Sequence, residues 1–386
     1  MLIDDLSTPC LLVDRERLAR NLQTLHTLAD TNDVALRPHA KTHKCTTLAR
    51  RQQETGARGL TVATMAEAEA FVGAGIEDVR MAYPVVGRNK HERLAALMDD
   101  AQISFTVDTE DGAEQAAAFY AETGRVADVL VEIDVGHGRC GVPWDGDVVS
   151  LARHVAEADS LHLAGILTHA GQAYRGPRDD ETAEAALDRV SRNERDRMLD
   201  VAVRLAGADV PGVSPDAFEI SIGSTPTMAR FENAERKGFR ITEIRPGNYV
   251  FHDTIQVDLG AAPLDDCALT VYTTIVSKRR ESSGAERAYV DAGKKVMTTD
   301  TAPTSEGYGT VLYNASFMRP HPHAVVTRLS EEHGWMRVPG GATFGVGDRL
   351  RIVPNHACVT TATQSEIHVV DGEEVVDTWP VDARGW

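Results

Sequence analysis

Two lysines and two histidines share one short stretch near the start of the chain. Residues 37–44 read RPHAKTHK, so Lys41 and Lys44 each have a histidine close by. Neighbouring positive charge disfavours the ammonium form of a lysine and lowers its pKa. A neutral amine can form an imine with an aldehyde, which is one way in which enzymes hold a cofactor. The competing interpretation is that both lysines are solvated charges at a helix start, and the spacing leaves both readings open.

Two other stretches have the composition of anion-binding turns. Residues 220–227 read ISIGSTPT and combine a glycine and hydroxyl side chains with a proline-led helix start. Backbone N–H groups and hydroxyls at such a turn can hold a phosphate, although an ordinary capped loop has the same composition. Residues 245–249 read RPGNY, in which the glycine lets the backbone approach a ligand closely.

Two further stretches present single polar side chains after apolar runs. Residues 132–141 (EIDVGHGRCG) form a glycine-rich segment that carries Arg139, for which a surface ion pair is the alternative. Residues 168–174 (THAGQAY) carry His169 and Tyr174. A histidine can lie flat against a pyridine ring and a tyrosine can donate a hydrogen bond, but a histidine at a strand end is often structural.

Residues 354–358 read PNHAC and contain a possible metal-binding pair. On an extended segment, His356 and Cys358 point to the same side. Imidazole nitrogen and thiolate sulfur suit zinc best. A buried cysteine beside a chance histidine is the alternative, because two ligands make a weak motif.

The elements that must position these residues alternate regularly between strands and helices. A strand at residues 8–14 precedes a helix at 15–30, and further strands are predicted at 34–36, 59–63, 79–82, 103–107, 129–133, 161–167, 217–221 and 243–245. Helices are predicted between most of them, including 42–53 and a long one at 180–205. This alternation predicts a (β/α)8 barrel, with a doubly wound sheet as the alternative.

The pattern changes after Tyr249. Stretches of alternating hydrophobicity such as 269–276 and 366–370 follow, and long helical patterns are missing. We therefore predict a barrel domain over residues 1–250 and a smaller, mostly antiparallel β domain over residues 251–386. The first strand is a candidate to join the β domain.

The composition excludes several classes of protein. The chain has 386 residues, a formal net charge of −18 and no basic tail, which argues against a nucleic-acid partner. No apolar run approaches the length of a membrane span, and the N-terminus lacks the features of a signal peptide. The five cysteines are scattered without a CxxC spacing, which is typical of a reducing compartment, so we expect a cytoplasmic protein.

The stretch RPHAKTHK resembles the cofactor-lysine motif of the D-threonine aldolase and eukaryotic-type D-serine dehydratase family. Its members are pyridoxal-phosphate enzymes with an alanine-racemase-like barrel, and the resemblance runs from Thr8 to Cys358. It implies that Lys41 carries pyridoxal phosphate and that Arg139 contacts the ring oxygen, while His169 and Tyr174 also lie at the cofactor. It further implies that the phosphate is bound by Gly223, Ser224, Thr225, Gly247 and Asn248, with Tyr249 as an addition.

The same resemblance implies a divalent metal at His356 and Cys358. Family members bind a metal through His-x-Cys or His-x-Asp at this location. The cysteine version is associated with D-serine and hydroxyaspartate dehydratases, and the aspartate version with D-threonine aldolases. Zinc is favoured here by the sulfur ligand, with manganese and magnesium as the alternatives.

The function that the resemblance implies is a lyase for small D-configured β-hydroxy-α-amino acids. Removal of the α-proton, with Lys41 as the base, leads to dehydration of the D-serine or D-threo-3-hydroxyaspartate type, and the products are a 2-oxo acid and ammonia. Deprotonation of the β-hydroxyl leads instead to glycine and an aldehyde, as in D-threonine aldolase. Less favoured are an amino-acid racemase, which needs no metal, and a non-catalytic pyridoxal-phosphate-binding protein, which is typically a lone barrel. The resemblance also implies a homodimer.

Overall fold

The computed structural model of this chain describes residues 1–282, 286–338 and 344–386. The chain divides into two units. Unit 1 comprises Met1–Thr24, Thr42–Thr47 and Asn248–Asp382, and unit 2 comprises Leu25–Lys41, Leu48–Gly247 and Ala383–Trp386. The chain passes from unit 2 to unit 1 directly after Lys41 and again directly after Gly247. Among the described residues, no helix combines the length and the apolar character needed to cross a membrane.

The first elements are a short strand and a long helix. Strand β1 (Cys10–Asp14) leads directly into helix α1 (Arg15–Thr31). Leu11, Leu12 and Val13 of β1 are buried. In α1 the leucines 18, 22 and 25 are buried as well, as their helical spacing predicts.

Unit 2 contains a parallel sheet of nine strands and a separate two-stranded hairpin. Its strands are β2 (Ala35–Leu36), β3 (Leu60–Val62), β4 (Asp78–Pro84), β5 (Gln102–Val107), β6 (Ala127–Asp134), β7 (Val142–Pro143), β8 (Leu161–Thr168), β9 (Glu219–Ile222), β10 (Glu235–Arg236), β11 (Phe239–Arg240) and β12 (Glu243–Ile244). The parallel strands follow the order β2-β12-β9-β8-β6-β5-β4-β3, and β7 pairs with β6. An isolated parallel bridge between His39 and Thr61 joins the segment after β2 to β3. The predicted barrel of parallel strands is thereby confirmed.

Helices connect the barrel strands. They are α2 (Thr46–Glu54), α3 (Met65–Gly73), α4 (Arg88–Leu97), α5 (Glu110–Thr123), α6 (Val148–Glu157), α7 (Ala183–Gly207) and the short α8 (Thr225–Met228). The helix predicted at residues 42–53 begins four residues later than expected. Lys44 has a φ of 49°, in the left-handed region that a right-handed helix cannot contain, so α2 starts only at Thr46.

The barrel interior holds a buried ion cluster. Arg37 donates from Nε to Glu243 at 2.7 Å, and Arg80 donates to Glu243 at 2.6 Å and to Glu219 at 2.8 Å. Arg37 also bonds to Asp78. Burial alone would raise the pKa of Glu243, but the two guanidinium groups beside it hold that pKa well below its usual range. The interior is therefore polar where most barrels of this kind are filled with branched apolar side chains.

Unit 1 contains a separate ten-stranded, mostly antiparallel sheet. The strands that join β1 are β13 (Leu269–Arg280), β14 (Glu286–Val290), β15 (Thr310–Asn314), β16 (Arg319–Pro320), β17 (Val325–Leu329), β18 (Gly334–Val338), β19 (Arg349–Val353), β20 (Glu366–Asp371) and β21 (Glu374–Pro380). β1 pairs antiparallel with β13 and parallel with β20. The described α-helices that follow the barrel strands in the chain are short, namely α9 (Thr254–Asp258), α10 (Lys294–Met297) and α11 (Ala357–Ala362). The predicted β-rich region after the barrel is confirmed.

Candidate active site

Lys41 lies just beyond the carboxyl end of β2. It belongs to the 3-10 turn Ala40–Thr42 and is half-buried. The turn is fixed on both sides, because the His39 N–H donates to the Pro246 carbonyl at 3.1 Å and the Thr61 N–H donates to the Pro38 carbonyl at 2.9 Å. The carboxyl ends of the strands are where barrels of this kind carry their chemistry.

Two histidines of unit 2 lie in the electrostatic field of Lys41. Burial lowers the pKa of His39 well below its usual value, and the positive charges of Lys41 and Arg245 lower it further. Burial is also the main cause of the strongly lowered pKa of His169, followed by Lys41 and Arg139. Both imidazoles are therefore neutral at neutral pH, and Nδ1 of His39 has no hydrogen-bond partner among the described residues.

Arg139 and Tyr174 lie on the loops that follow β6 and β8. Half of the Arg139 side chain is exposed, and its Nη2 is 3.7 Å from Oε1 of Glu132. Tyr174 lies in the 3-10 turn Gly171–Arg175, and its ring centroid is 6.5 Å from that of His169. The structure thus brings Arg139, His169 and Tyr174 to the same end of the barrel. Arg139 helps to lower the pKa of His169, and the Tyr174 ring is a neighbour of the His169 ring.

The turn after β9 has the form of a cradle. Gly223 has a φ of +125°, and a Cβ at this position would lie 2.9 Å from the backbone nitrogen of Arg245, so only glycine fits. Ser224 and Thr225 are buried, and the Ser224 hydroxyl lies 3.1 Å from Oγ1 of Thr227. Gly247, after β12, is buried too.

Glu194 in the middle of α7 was missed by the sequence analysis. Its Oε1 accepts the Gly223 N–H at 2.9 Å, so this amide is already engaged. The side chain is fully buried, and burial raises the pKa of Glu194 to about 7 although Thr227 and Gly223 act in the opposite direction. Helical periodicity gives no sign that one glutamate of a charged helix faces the barrel.

Arg245 is a second missed residue, although it belongs to the RPGNY stretch. The guanidinium is buried and donates from Nε to Oγ of Ser221 at 2.7 Å and to the carbonyl of Thr168. Burial lowers the pKa of Arg245 to about 10, so the group stays charged at neutral pH. Its position directly after β12 was the sequence feature from which a role for Arg245 at this end of the barrel could have been predicted.

These residues of unit 2 have the donors that a phosphorylated aldehyde cofactor requires. Lys41 provides an amine, Ser224 and Thr225 provide hydroxyls beside a glycine cradle, and Arg139 provides a cation. The unpartnered Nδ1 of His39 is a buried polar atom of the kind that a bound group satisfies. The residue types therefore fit pyridoxal phosphate.

His356 and Cys358 lie in unit 1, and one premise about them was wrong. His356 is extended (φ −136°, ψ 101°), but it is the N-cap of α11, and Cys358 is the second residue of that helix. The pair still meets, since His356 hydrogen-bonds to Cys358. Because α11 has six residues, it is too short to show a helical period in the sequence.

Acidic groups surround the imidazole of His356. Its Nδ1 lies 2.5 Å from Oδ2 of Asp300. Burial lowers the pKa of His356, but the charges of Cys358, Asp300 and Asp253 outweigh that effect and raise it to about 11. A protonated imidazole has no lone pair for a metal, so a cation bound here would displace that proton, and the acidic groups would then stabilise the cation instead.

The thiol of Cys358 has two hydrogen-bonding side chains nearby in unit 1. Oγ1 of Thr42 is 3.2 Å from Sγ, and Nδ2 of Asn248 is 3.7 Å from it. Asn248 also donates to Oδ2 of Asp253 at 2.5 Å. Tyr249, in the 3-10 turn Asn248–Val250, is buried.

The described residues contain no group of three or more His, Cys, Asp and Glu side chains arranged to hold a metal ion. The imidazole nitrogen of His356 and the sulfur of Cys358 form a donor set that zinc accepts.

Comparison with known proteins identifies the family. The alanine racemase, N-terminal domain family matches residues 13–254, and the serine dehydratase domain family matches residues 268–370. D-threo-3-hydroxyaspartate dehydratase of Delftia sp. (strain HT23) is 32% identical over 99% of this chain and 98% of its own. D-threonine aldolase of an Arthrobacter species is 34% identical over 98% of this chain and 93% of its own.

A solved structure agrees over the full length. A variant of D-threo-3-hydroxyaspartate dehydratase in the metal-free form has a TM-score of 0.87 and 32% identity, and the match covers 100% of both chains. The family is pyridoxal-phosphate-dependent. The resemblance inferred from the sequence is confirmed: this chain belongs to the alanine racemase N-terminal domain family, with a serine dehydratase domain following the barrel.

Proposed function

We propose that this chain is a lyase that uses pyridoxal phosphate and a divalent metal to dehydrate D-configured β-hydroxy-α-amino acids to a 2-oxo acid and ammonia. The observation that carries the dehydratase assignment is the thiol of Cys358, hydrogen-bonded to His356 at the position where this family has either cysteine or aspartate. The near-full-length relative named D-threo-3-hydroxyaspartate dehydratase supports the same choice.

The aldehyde and the ring of the cofactor are assigned to residues of unit 2. When bound, pyridoxal phosphate supplies an electron sink for charge that develops at the α-carbon of the amino acid. Lys41 would hold its aldehyde group, Arg139 would contact the ring oxygen, and His169 and Tyr174 would line the ring. The neutrality of His169 favours this role, because an uncharged imidazole does not oppose the electron-poor ring.

The phosphate is assigned to the two turns that follow β9 and β12. Ser224 and Thr225 would donate hydroxyl hydrogen bonds, whereas the N–H groups of Gly223 and Ser224 are held by Glu194 and Thr227, so Gly223 would shape the turn. Gly247 and Asn248 contribute backbone groups, with Tyr249 as an addition. A buried dianion needs several charge-assisted donors, which these turns supply.

Proton transfer at the α-carbon is assigned to the amine of Lys41. The neutral imidazoles of His39 and His169 carry no negative charge that would stabilise the ammonium form of Lys41. A carboxylate in their place would stabilise that form. With the cofactor and substrate bound, the Lys41 amine would serve as the base that takes the α-proton.

The metal is assigned to unit 1, with His356 and Cys358 as ligands. Asp300 holds Nδ1 of His356, which leaves Nε2 as the ligand atom. Zinc fits the thiolate best, with manganese and magnesium as the harder alternatives. When bound, the ion supplies a Lewis acid for the β-hydroxyl group of the substrate.

D-threonine aldolase is the second candidate function. It is favoured by the Arthrobacter relative of that name, which is 34% identical over 98% of this chain. The two reactions differ in the bond that breaks, namely Cβ–O in the dehydratase and Cα–Cβ in the aldolase. The same residues serve either reaction, so the products decide.

Product analysis with D-serine, D-threonine and D-threo-3-hydroxyaspartate tests the proposal. We expect a 2-oxo acid and ammonia to form faster than glycine and an aldehyde. Faster release of glycine and acetaldehyde from D-threonine would replace the dehydratase by the aldolase. Chiral analysis of the remaining substrate detects the racemase alternative, and no turnover of any of the three would favour a binding protein.

We also propose a homodimer in the cytoplasm. No disulfide joins the five cysteines, all of which lie in the described residues, and this agrees with a reducing compartment. Sedimentation velocity measures the assembly directly.

A further inference from the structure

The sulfur of Cys358 lies within hydrogen-bonding distance of two buried polar side chains. Thr42 Oγ1 is 3.2 Å from Sγ and Asn248 Nδ2 is 3.7 Å from it, both within the range of hydrogen bonds to sulfur. Thr42 and Asn248 are buried, with 0% and 4% of their surface exposed. The buried position shields both contacts from competition with water.

The orientation of the Asn248 side chain is fixed by a second hydrogen bond, to Asp253. Its Nδ2 also donates to Oδ2 of Asp253 at 2.5 Å. Asp253 is itself held by the N–H groups of Ala357 at 2.9 Å and Gln256 at 3.1 Å. A carboxylate accepts hydrogen bonds only, so it keeps the NH₂ end of the amide, and not its oxygen, towards the sulfur.

The geometry has a chemical consequence for the ligand. An NH₂ group of asparagine only donates, so Sγ of Cys358 must accept from it. Sulfur accepts best as the thiolate, which is also the form that binds a metal. Partners of this kind around a ligand orient it and commonly tune the affinity of a metal site.

We propose that Thr42 and Asn248 are positioning residues of the metal site, which hold the sulfur of Cys358 towards the imidazole of His356. The Asn248 side chain accordingly serves the metal ligand, and only its backbone serves the cofactor phosphate. The inference rests on the proposed function, because it takes His356 and Cys358 as the metal ligands.

The test compares metal binding by holoenzyme variants that have been stripped with a chelator and titrated with zinc. Thr42→Val and Asn248→Ala should each weaken zinc binding by about 10-fold or more, and Thr42→Ser should restore most of the affinity. Cobalt(II) provides a second readout. Loss of a donor raises the energy of the sulfur lone pairs, so the thiolate-to-cobalt charge-transfer band should move to longer wavelength in both variants.

Two matched controls separate this role from general loss of structure. Thr254→Val removes a buried hydroxyl that bonds to Thr310 and to the Val353 carbonyl. Asn21→Ala removes an asparagine as buried as Asn248, whose amide donates to the carbonyls of Val250 and Asp266. Neither contacts Cys358 in the described hydrogen bonds, so zinc affinity and the cobalt band should stay as in the wild type.

The outcomes separate this inference from the proposed function. If the wild-type protein binds no zinc, manganese or magnesium, the proposed metal site itself is refuted. Wild-type zinc affinity and an unmoved band in both variants overturn the inference alone, and so do equal changes in the controls. If Asn248→Ala weakens cofactor binding in an absorbance titration but leaves zinc affinity unchanged, its side chain belongs to the phosphate. If Asn248→Ala does not fold, the zinc affinity and the cobalt band of Thr42→Val alone decide whether the inference stands.

Discussion

The two candidate sites differ in how the chain builds them and in the charge that they present. In unit 2 the polar side chains come from the ends of several barrel strands, as far apart in sequence as Lys41 and Arg245. In unit 1 the two candidate ligands lie within one turn, and Asp300 and Asp253 stand next to His356. The first set is cationic or neutral around Lys41, whereas the second set is anionic.

We propose that this difference matches each site to one kind of ligand. Lys41, Arg139 and Arg245 disfavour a metal cation, but they suit an anionic cofactor. Asp300 and Asp253 next to His356 favour a cation and would repel a phosphate. We therefore expect changes at one site to be read out separately from changes at the other.

The largest expected effect follows removal of the Lys41 amine. Lys41→Ala should lower turnover by about 10³-fold or more, because both the covalent attachment and the base are lost. Borohydride reduction of the wild type, followed by peptide mapping, should place the cofactor on Lys41. Zinc binding, as a property of the other unit, should be unchanged.

Lys44→Asn is the matched control for this prediction. Lys44 has a positive φ, which asparagine tolerates, so the substitution removes a neighbouring amine at little conformational cost. This variant should keep the cofactor. If the reduced cofactor is instead found on Lys44, Lys294 or Lys295, the assignment of the cofactor to Lys41 is wrong.

The next effect concerns the phosphate turn. Ser224→Ala combined with Thr225→Val should weaken cofactor retention, since each donor to a buried dianion contributes roughly 1.5–3 kcal/mol. Equilibrium dialysis of the cofactor measures the change, and Thr242→Val, whose hydroxyl bonds to the Ile220 backbone, serves as the control. Unchanged cofactor affinity in the double variant would place the phosphate elsewhere.

A smaller effect is expected from Glu194, through pH. Burial raises its pKa in the folded protein from 4.5 to about 7, so folding favours the protonated form. That contribution to stability is complete below pH 4.5 and is lost as the pH rises through 7. Glu194→Gln is permanently neutral and should be more stable than the wild type at pH 8, by roughly 1–3 kcal/mol.

Urea unfolding of both proteins at several values between pH 5 and pH 8 checks this prediction. The midpoint of the wild type should fall towards pH 8, and the midpoint of Glu194→Gln should change less. The same pH dependence in both proteins would show that Glu194 does not titrate in this range.

The barrel was predictable because regular alternation of strands and helices leaves few other architectures. The strand-end residues could be named as well, since parallel strands bring their carboxyl ends together. Glu194 could not be named from the sequence. In a helix with many charged residues, the sequence does not distinguish a buried glutamate from a solvated one, and the partner of Glu194, the Gly223 amide, is seen only in the structure.

The surroundings of the metal pair were also beyond the sequence. Asp300 precedes His356 by 56 residues and Thr42 precedes Cys358 by 316 residues. No periodicity connects positions so far apart, and only the folded sheet of unit 1 brings them together. The extended geometry expected at Cys358 was wrong for a local reason, namely the six-residue helix that starts at Ala357.

The most direct test of two separately held ligands is to chelate the metal while recording turnover and the absorbance of the bound cofactor in the same sample. We predict that chelation abolishes lyase activity, leaves the absorbance of the cofactor on Lys41 intact, and is reversed by added zinc. Full activity in chelator, with no metal bound, would contradict the metal site at His356 and Cys358. Loss of the cofactor absorbance together with the metal would contradict the separation of the two sites.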